Sequence, residues 1–182
     1  ELLYFFPYKS QYGAQGVIYS KVQQVFAISR IESLQYLSSI SLAAVLFALF
    51  VVYREIYGSR FSFIFLLSLA GSPWIVAFAR NLYWSAFLWF LPAFFAAVLY
   101  LTKAKLNRLL LFAAISFSVF LKSLCGYEYL STIVIFACSV FVIAPYFDSA
   151  QPDPRADLRT AFLVLCACVA GFIFALLIHA NM

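Results

Sequence analysis

Charge is scarce in this chain: Asp, Glu, Lys and Arg make up only 10% of its 182 residues. An ordinary soluble domain carries about a quarter, so that class is excluded. Histidine occurs once, at His179, and a lone histidine cannot build a metal site. The four cysteines, Cys125, Cys138, Cys166 and Cys168, offer no pair at metal-ligand spacing with a histidine nearby. They read as small, buried, inert thiols, with Cys125 in a loop and the others inside apolar segments. Basic residues never form a run, so the net charge of +5 does not indicate nucleic acid. Secretory signal, internal repeat and low-complexity tract are all missing. Charges are also absent from the middle of the apolar runs, which argues against ion-coupled transport.

What is present is long hydrophobic sequence. Apolar residues make up 66% of the chain, and the mean hydropathy is +0.99. A helix needs about 20 residues to cross the hydrocarbon core. Six segments meet that pattern, at 34–53, 61–79, 83–102, 106–124, 129–147 and 161–180. The runs are continuous, whereas barrel strands alternate every second residue. The expected fold is therefore all-α: a polytopic transmembrane bundle over 34–182, with 1–33 as a loop carrying a juxtamembrane helix. Pro73, Pro92 and Pro145 should kink their helices. Glu1 to Phe6 reads as the tail of an apolar segment, so a further helix is expected ahead of Glu1 as part of a longer protein.

Alternation of spans assigns the basic residues to sides. Arg54, Arg60, Lys103, Lys105, Arg108, Arg155 and Arg159 fall on one face; Lys9, Lys21, Arg30, Arg80 and Lys122 fall on the other. The positive-inside rule places the larger group in the cytoplasm. Residues 1–33, the turns at 80–84 and 122–128, and His179 are then extracytoplasmic. Within 16–33, Ile18, Val22, Val25, Phe26, Ile28 and Ile31 recur at helical spacing, the pattern of a helix lying in the interface. The mixed-charge loop 148–159 reads as a solvated cytoplasmic connection.

The informative polar residues lie in the two outer turns. Arg80 ends a 19-residue apolar run. It either snorkels to lipid phosphate or clamps a substrate phosphate with its planar fork. Tyr83 and Trp84 follow it closely. Lys122 closes a segment whose uncharged stretch is 13 residues, which suits a snorkelling side chain or a phosphate contact. Glu128, flanked by Tyr127 and Tyr129, is a helix cap, a salt-bridge partner of Arg80 or Lys122, a general base or a cation ligand.

Two stretches, Ser72-Pro73-Trp74 running into Ala79-Arg80-Asn81-Leu82-Tyr83-Trp84, and Leu124-Cys125-Gly126-Tyr127-Glu128-Tyr129, are similar to segments of bacterial membrane proteins of one general type. With an interfacial helix in the first outer loop and short outer turns bearing Arg, Tyr, Trp and Glu, the layout resembles the GT-C superfamily of membrane glycosyltransferases. That resemblance implies a polytopic enzyme of the bacterial inner membrane, moving a sugar from a polyprenyl phosphate to an outer-face acceptor in cell-envelope assembly. It implies Arg80 and Lys122 on the donor phosphate, Glu128 as base or ligand of a divalent cation, and Tyr83, Trp84 and Tyr127 shaping the sugar or lipid groove. Membrane lipids, a lipid-linked sugar and other membrane proteins would be the partners.

Members of that superfamily carry an acid in the first outer loop, yet residues 7–30 contain no Asp or Glu, and Lys9 stands in the region concerned. The acid lies ahead of Glu1, or Glu1 or Glu128 supplies it, or the chain is not catalytic. The rival reading is accordingly a flippase, a transporter fragment or a scaffold subunit.

Overall fold

The computed structural model describes residues 12–102, 107–147 and 153–181. Glu1, Lys9, Lys103, Lys105 and the 148–152 part of the expected loop lie outside them. The described residues form helices and no strand: α1 (Ala14–Val25), α2 (Ile31–Tyr57), α3 (Ser59–Ala70), α4 (Pro73–Ala79), α5 (Phe87–Thr102), α6 (Arg108–Cys125), α7 (Leu130–Ile143) with a 3₁₀ turn (Ala144–Tyr146), and α8 (Pro154–Ala180).

Three of these, α2, α6 and α8, are long and apolar enough to cross a membrane, and the chain is an integral membrane protein. Six full-length spans are not what the described residues contain. The expected 61–79 span is broken into α3 and α4, which meet at 66° and make a fourth crossing only if counted together. Pro73 is the cause: it sits at the first position of α4, and its ring excludes the α conformation from Ser72, which is extended (φ −74°, ψ 119°). The helices α5 and α7 are shorter than expected. The first four residues of the expected 83–102 span belong to a turn, and Pro145 reduces the end of the 129–147 span to 3₁₀. Pro92 stays inside α5 without ending it.

Other boundaries moved for local reasons. The expected interfacial helix over 16–33 stops at Val25, because Ala27 takes a left-handed conformation (φ 48°), and α2 then starts at Ile31. The junction expected at 33/34 therefore lies within a helix. At the other end α8 starts seven residues early. The Asp153 carboxylate accepts from the backbone N–H groups of Arg155 and Ala156, each at 3.2 Å, and Pro154 is preorganised for the first position. Residues 154–159 are thus helical, not loop. Cys125 is the last residue of α6, and Cys166 is exposed.

The core is built on α5, which packs against α2, α6 and α7, while α8 closes the bundle against α6 and α7. Leu42, Leu46, Leu49 and Tyr53, spaced three or four apart on α2, form a stripe in the same buried cluster as Ala93, Ala96 and Ala97 of α5. Small side chains let backbones approach where lipid offers no hydrophobic drive. A close approach is made by Gly171 of α8 on α6, where a Cβ would collide with the Ser116 carbonyl oxygen. The α2, α5 and α7 N-termini and the α6 and α8 C-termini share one end of the bundle. There Arg80 meets α2, Tyr83 meets Glu128, and Tyr127 meets His179. Both polar turns therefore lie at the same end, as span alternation requires.

A candidate polar site at one end of the bundle

The turn after α6 is closed by two reciprocal bonds. The Gly126 N–H donates to the Lys122 carbonyl at 3.0 Å, and the Lys122 ammonium donates to the Gly126 carbonyl at 2.6 Å. This places Nζ 4.0 Å from Glu128 Oε2. Lys122 is only 1% exposed. Its ammonium is thus turned inward as the lock of a turn, not outward as the expected phosphate contact.

Glu128 is about one-third exposed, and its other oxygen accepts from the Tyr83 hydroxyl at 3.3 Å. Tyr83 is held in turn by Asn81, whose Oδ1 accepts the Tyr83 backbone N–H at 3.0 Å. Trp84 joins the two turns through aromatic contacts. Its ring centroid lies 5.2 Å from Tyr83, 5.3 Å from Phe78 and 5.6 Å from Tyr129. The first two are edge-to-face, a geometry that adds roughly 0.5–1.5 kcal/mol per pair beyond the buried area. Glu128, Lys122, Tyr83 and Trp84 are thus one connected group.

Arg80 and Tyr127 point elsewhere. Arg80 caps α4 and is exposed; its guanidinium lies 5.3 Å above the Tyr36 ring and reaches Gln35 Oε1 at 3.5 Å. Among the described residues no hydrogen bond or ion pair joins it to Glu128 or Lys122. Ser39 pins the end of α4 to α2 by donating to the Ala79 carbonyl at 3.2 Å, which directs Arg80 that way. Tyr127 turns to α8. Its Oη lies 2.6 Å from His179 Nδ1, and the rings stack at 12°. Burial pushes the Tyr127 hydroxyl above its ordinary pKa.

Several features were not visible in the sequence. Among the described residues the non-glycines with positive φ are Ala27, Ser85 and Tyr129 (48°, 43° and 61°), all in connections at this end. Such strain concentrates at functional sites. Among the described residues the buried side-chain atoms without a hydrogen-bond partner are Gln15 Oε1, Tyr19 Oη, Ser38 Oγ, Trp89 Nε1 and Ser123 Oγ. They too sit on the parts of α1, α2, α5 and α6 nearest the two turns. The helix α1 packs over the end of α6, where Ala14 shares a buried cluster with Leu124 and Cys125. Its apolar Val17, Ile18, Val25 and Phe26 face outward, as a helix embedded in the interface requires.

The group does not fit a divalent cation. Such ions take several oxygen ligands, whereas here one carboxylate faces an ammonium. Among the described residues no three His, Cys, Asp or Glu side chains converge. Compared with models of protein families, with curated proteins and with solved structures, the chain matches none.

Proposed function

We propose that this chain is the membrane part of a GT-C-like glycosyltransferase that uses a polyprenyl-phosphate-linked sugar in cell-envelope assembly. The observation that carries this reading is the joining of Glu128, Tyr83 and Trp84 across two turns at one end of a membrane bundle, with the exposed Arg80 on the same rim. On this reading α5 and α7 also cross, as short spans, to give six crossings. The polar end faces outward from a bacterial inner membrane, because Arg54, Arg60, Arg108, Arg155 and Arg159 gather toward the opposite end.

In the transfer step the acceptor hydroxyl oxygen bonds to the sugar's anomeric carbon while the bond to the lipid phosphate oxygen breaks. The proton passes to Glu128, and the Arg80 fork receives the charge left on phosphate. Tyr83 orients the carboxylate, and Lys122 holds the turn that carries it. Purified protein would be assayed for turnover of a lipid-linked sugar. Loss in both Arg80→Ala and Glu128→Gln supports the transferase; unchanged rates in both remove it.

A second reading, a non-catalytic scaffold or flippase component, is favoured by one specific observation. Glu128 already has Lys122 and Tyr83 as partners, the arrangement of a structural joint. Under that reading Glu128→Gln loosens the turns and no variant changes a turnover.

A further inference from the structure

Little holds α1 to the bundle. Its buried residues are Ala14, Gln15 and Tyr19. Ala14 belongs to a small cluster, apart from the main core, made with Leu88 of α5, Leu124 and Cys125 of α6, and Ala175 of α8. Two of the three buried residues are polar, and Gln15 Oε1 and Tyr19 Oη are both shut off from water without a hydrogen-bond partner. They stand one helical turn apart, on the face turned to the bundle. A Cβ built on Gly16 would meet nothing within 4 Å, so α1 stands clear of its neighbours there. Left-handed residues bound the helix on both sides, Gly13 (φ 73°) before it and Ala27 (φ 48°) after it, and no side chain caps its start.

We propose that α1 is a strap that lifts from the end of α6, pivoting at Gly13 and Ala27, while the rest of the bundle stays folded. Closure strips water from two polar groups and offers them no bond in return, a penalty that ends when they are hydrated again. What closure gains is small, and a segment with few buried apolar side chains is the first to open. The outward Val17, Ile18, Val25 and Phe26 keep their place in the interface as α1 slides aside, so opening does not expose them to water. Hinges are a few residues at the ends of elements that absorb the backbone change. Ala27 suits that role, because its left-handed conformation strains a residue with a Cβ and turning there relieves it. Lifting uncovers Leu124 and Cys125, which follow the buried Lys122 and lead into Gly126 and Glu128. The strap therefore governs exposure of the turn that carries the acid. The inference does not rest on the transferase reading.

Cys125 reports the movement. It is 2% exposed in the cluster beneath α1, whereas Cys168, 0% exposed, lies in the main core and is freed only when the bundle comes apart. The full chain in nanodiscs is treated with N-ethylmaleimide, and labelling of each cysteine is timed by mass mapping of its peptide. Cys125 should label about ten-fold faster than Cys168 or more, as local opening requires. Gln15→Leu and Tyr19→Phe each remove an unpaired group, so each should slow Cys125 several-fold and leave Cys168 unchanged. Comparison between proteins separates opening from the position of Cys125 nearer the membrane surface, and either variant suffices should the other not fold. Equal rates at the two cysteines mean that α1 opens only with the whole bundle, and overturn the proposal. Unchanged or faster Cys125 labelling in the variants means that the polar atoms do not drive α1 off, and overturns it as well.

Discussion

The buried ammonium of Lys122 donates to the Gly126 carbonyl at 2.6 Å while lying 4.0 Å from the Glu128 carboxylate. One side chain therefore fixes both the shape of the α6–α7 turn and the position of the acid that follows it. Lys122→Met keeps the chain length and removes the donor. The expected loss is about 1.5–3 kcal/mol, the usual range for a hydrogen bond to a charged group. Thermal unfolding in detergent followed by tryptophan fluorescence measures it, and an unchanged midpoint would show that the lock contributes nothing.

Arg80 gives the opposite expectation. It is exposed, so Arg80→Ala should leave stability within about 0.5 kcal/mol. Retention of a phosphate-headed lipid on the purified protein should fall, and Arg80→Lys should restore it only in part because it lacks the planar fork. Lipid phosphorus per protein reads this directly. Equal retention in all three proteins would separate Arg80 from phosphate.

Both turns could be placed at one end from sequence because span alternation depends only on counting apolar runs, and shorter helices do not change which end a turn occupies. The helices α2 and α8 were legible for the same reason. The breaks were harder. Pro73 predicts a kink, but a kink and a break differ in whether α3 and α4 can bond across the gap, and that depends on packing against α2. The partners of the polar residues were not legible. Lys122 at the end of a short run suggested snorkelling, and nothing local reveals that its nearest acceptor is Gly126. Arg80 and Glu128 are expected to share a site; both lie at the same end of the bundle, but Ser39 on a distant helix pins α4 so that Arg80 rests on Tyr36 and Gln35. The Tyr127–His179 pair joins residues far apart in the chain.

Gly171 offers a packing test. A methyl group there meets the Ser116 carbonyl oxygen, which is helix backbone and cannot turn aside. Gly171→Ala should cost about 1–3 kcal/mol, the range for overpacking, and Gly171→Leu more. Unchanged thermal midpoints in both would mean that α6 and α8 are further apart than described.

Tyr127 supplies a pH expectation. Its hydroxyl pKa is raised by burial, so the folded state holds the proton more tightly than the unfolded state. The associated stability is complete below the ordinary tyrosine value, about 10. It is lost as pH rises from there through the higher folded value. In an ultraviolet titration, Tyr127→Phe should remove a late-ionising component. Removal of an early one would contradict the burial.

The unequal helix lengths have a consequence for the surrounding bilayer. The helices α3, α5 and α7 have 12, 16 and 14 residues, about 18, 24 and 21 Å at helical rise. The helices α2 and α8 each have 27, about 40 Å. The short helices thus fall below a normal core about 30 Å thick while α2 and α8 exceed it. If α7 crosses as a short span, lipid against its exposed Ile135 and Val142 thins and its headgroups sink to meet the protein, at a modest cost per ångström of mismatch. The first turn of α7 adjoins Trp84 and Glu128, so thinning there brings headgroups toward the polar site.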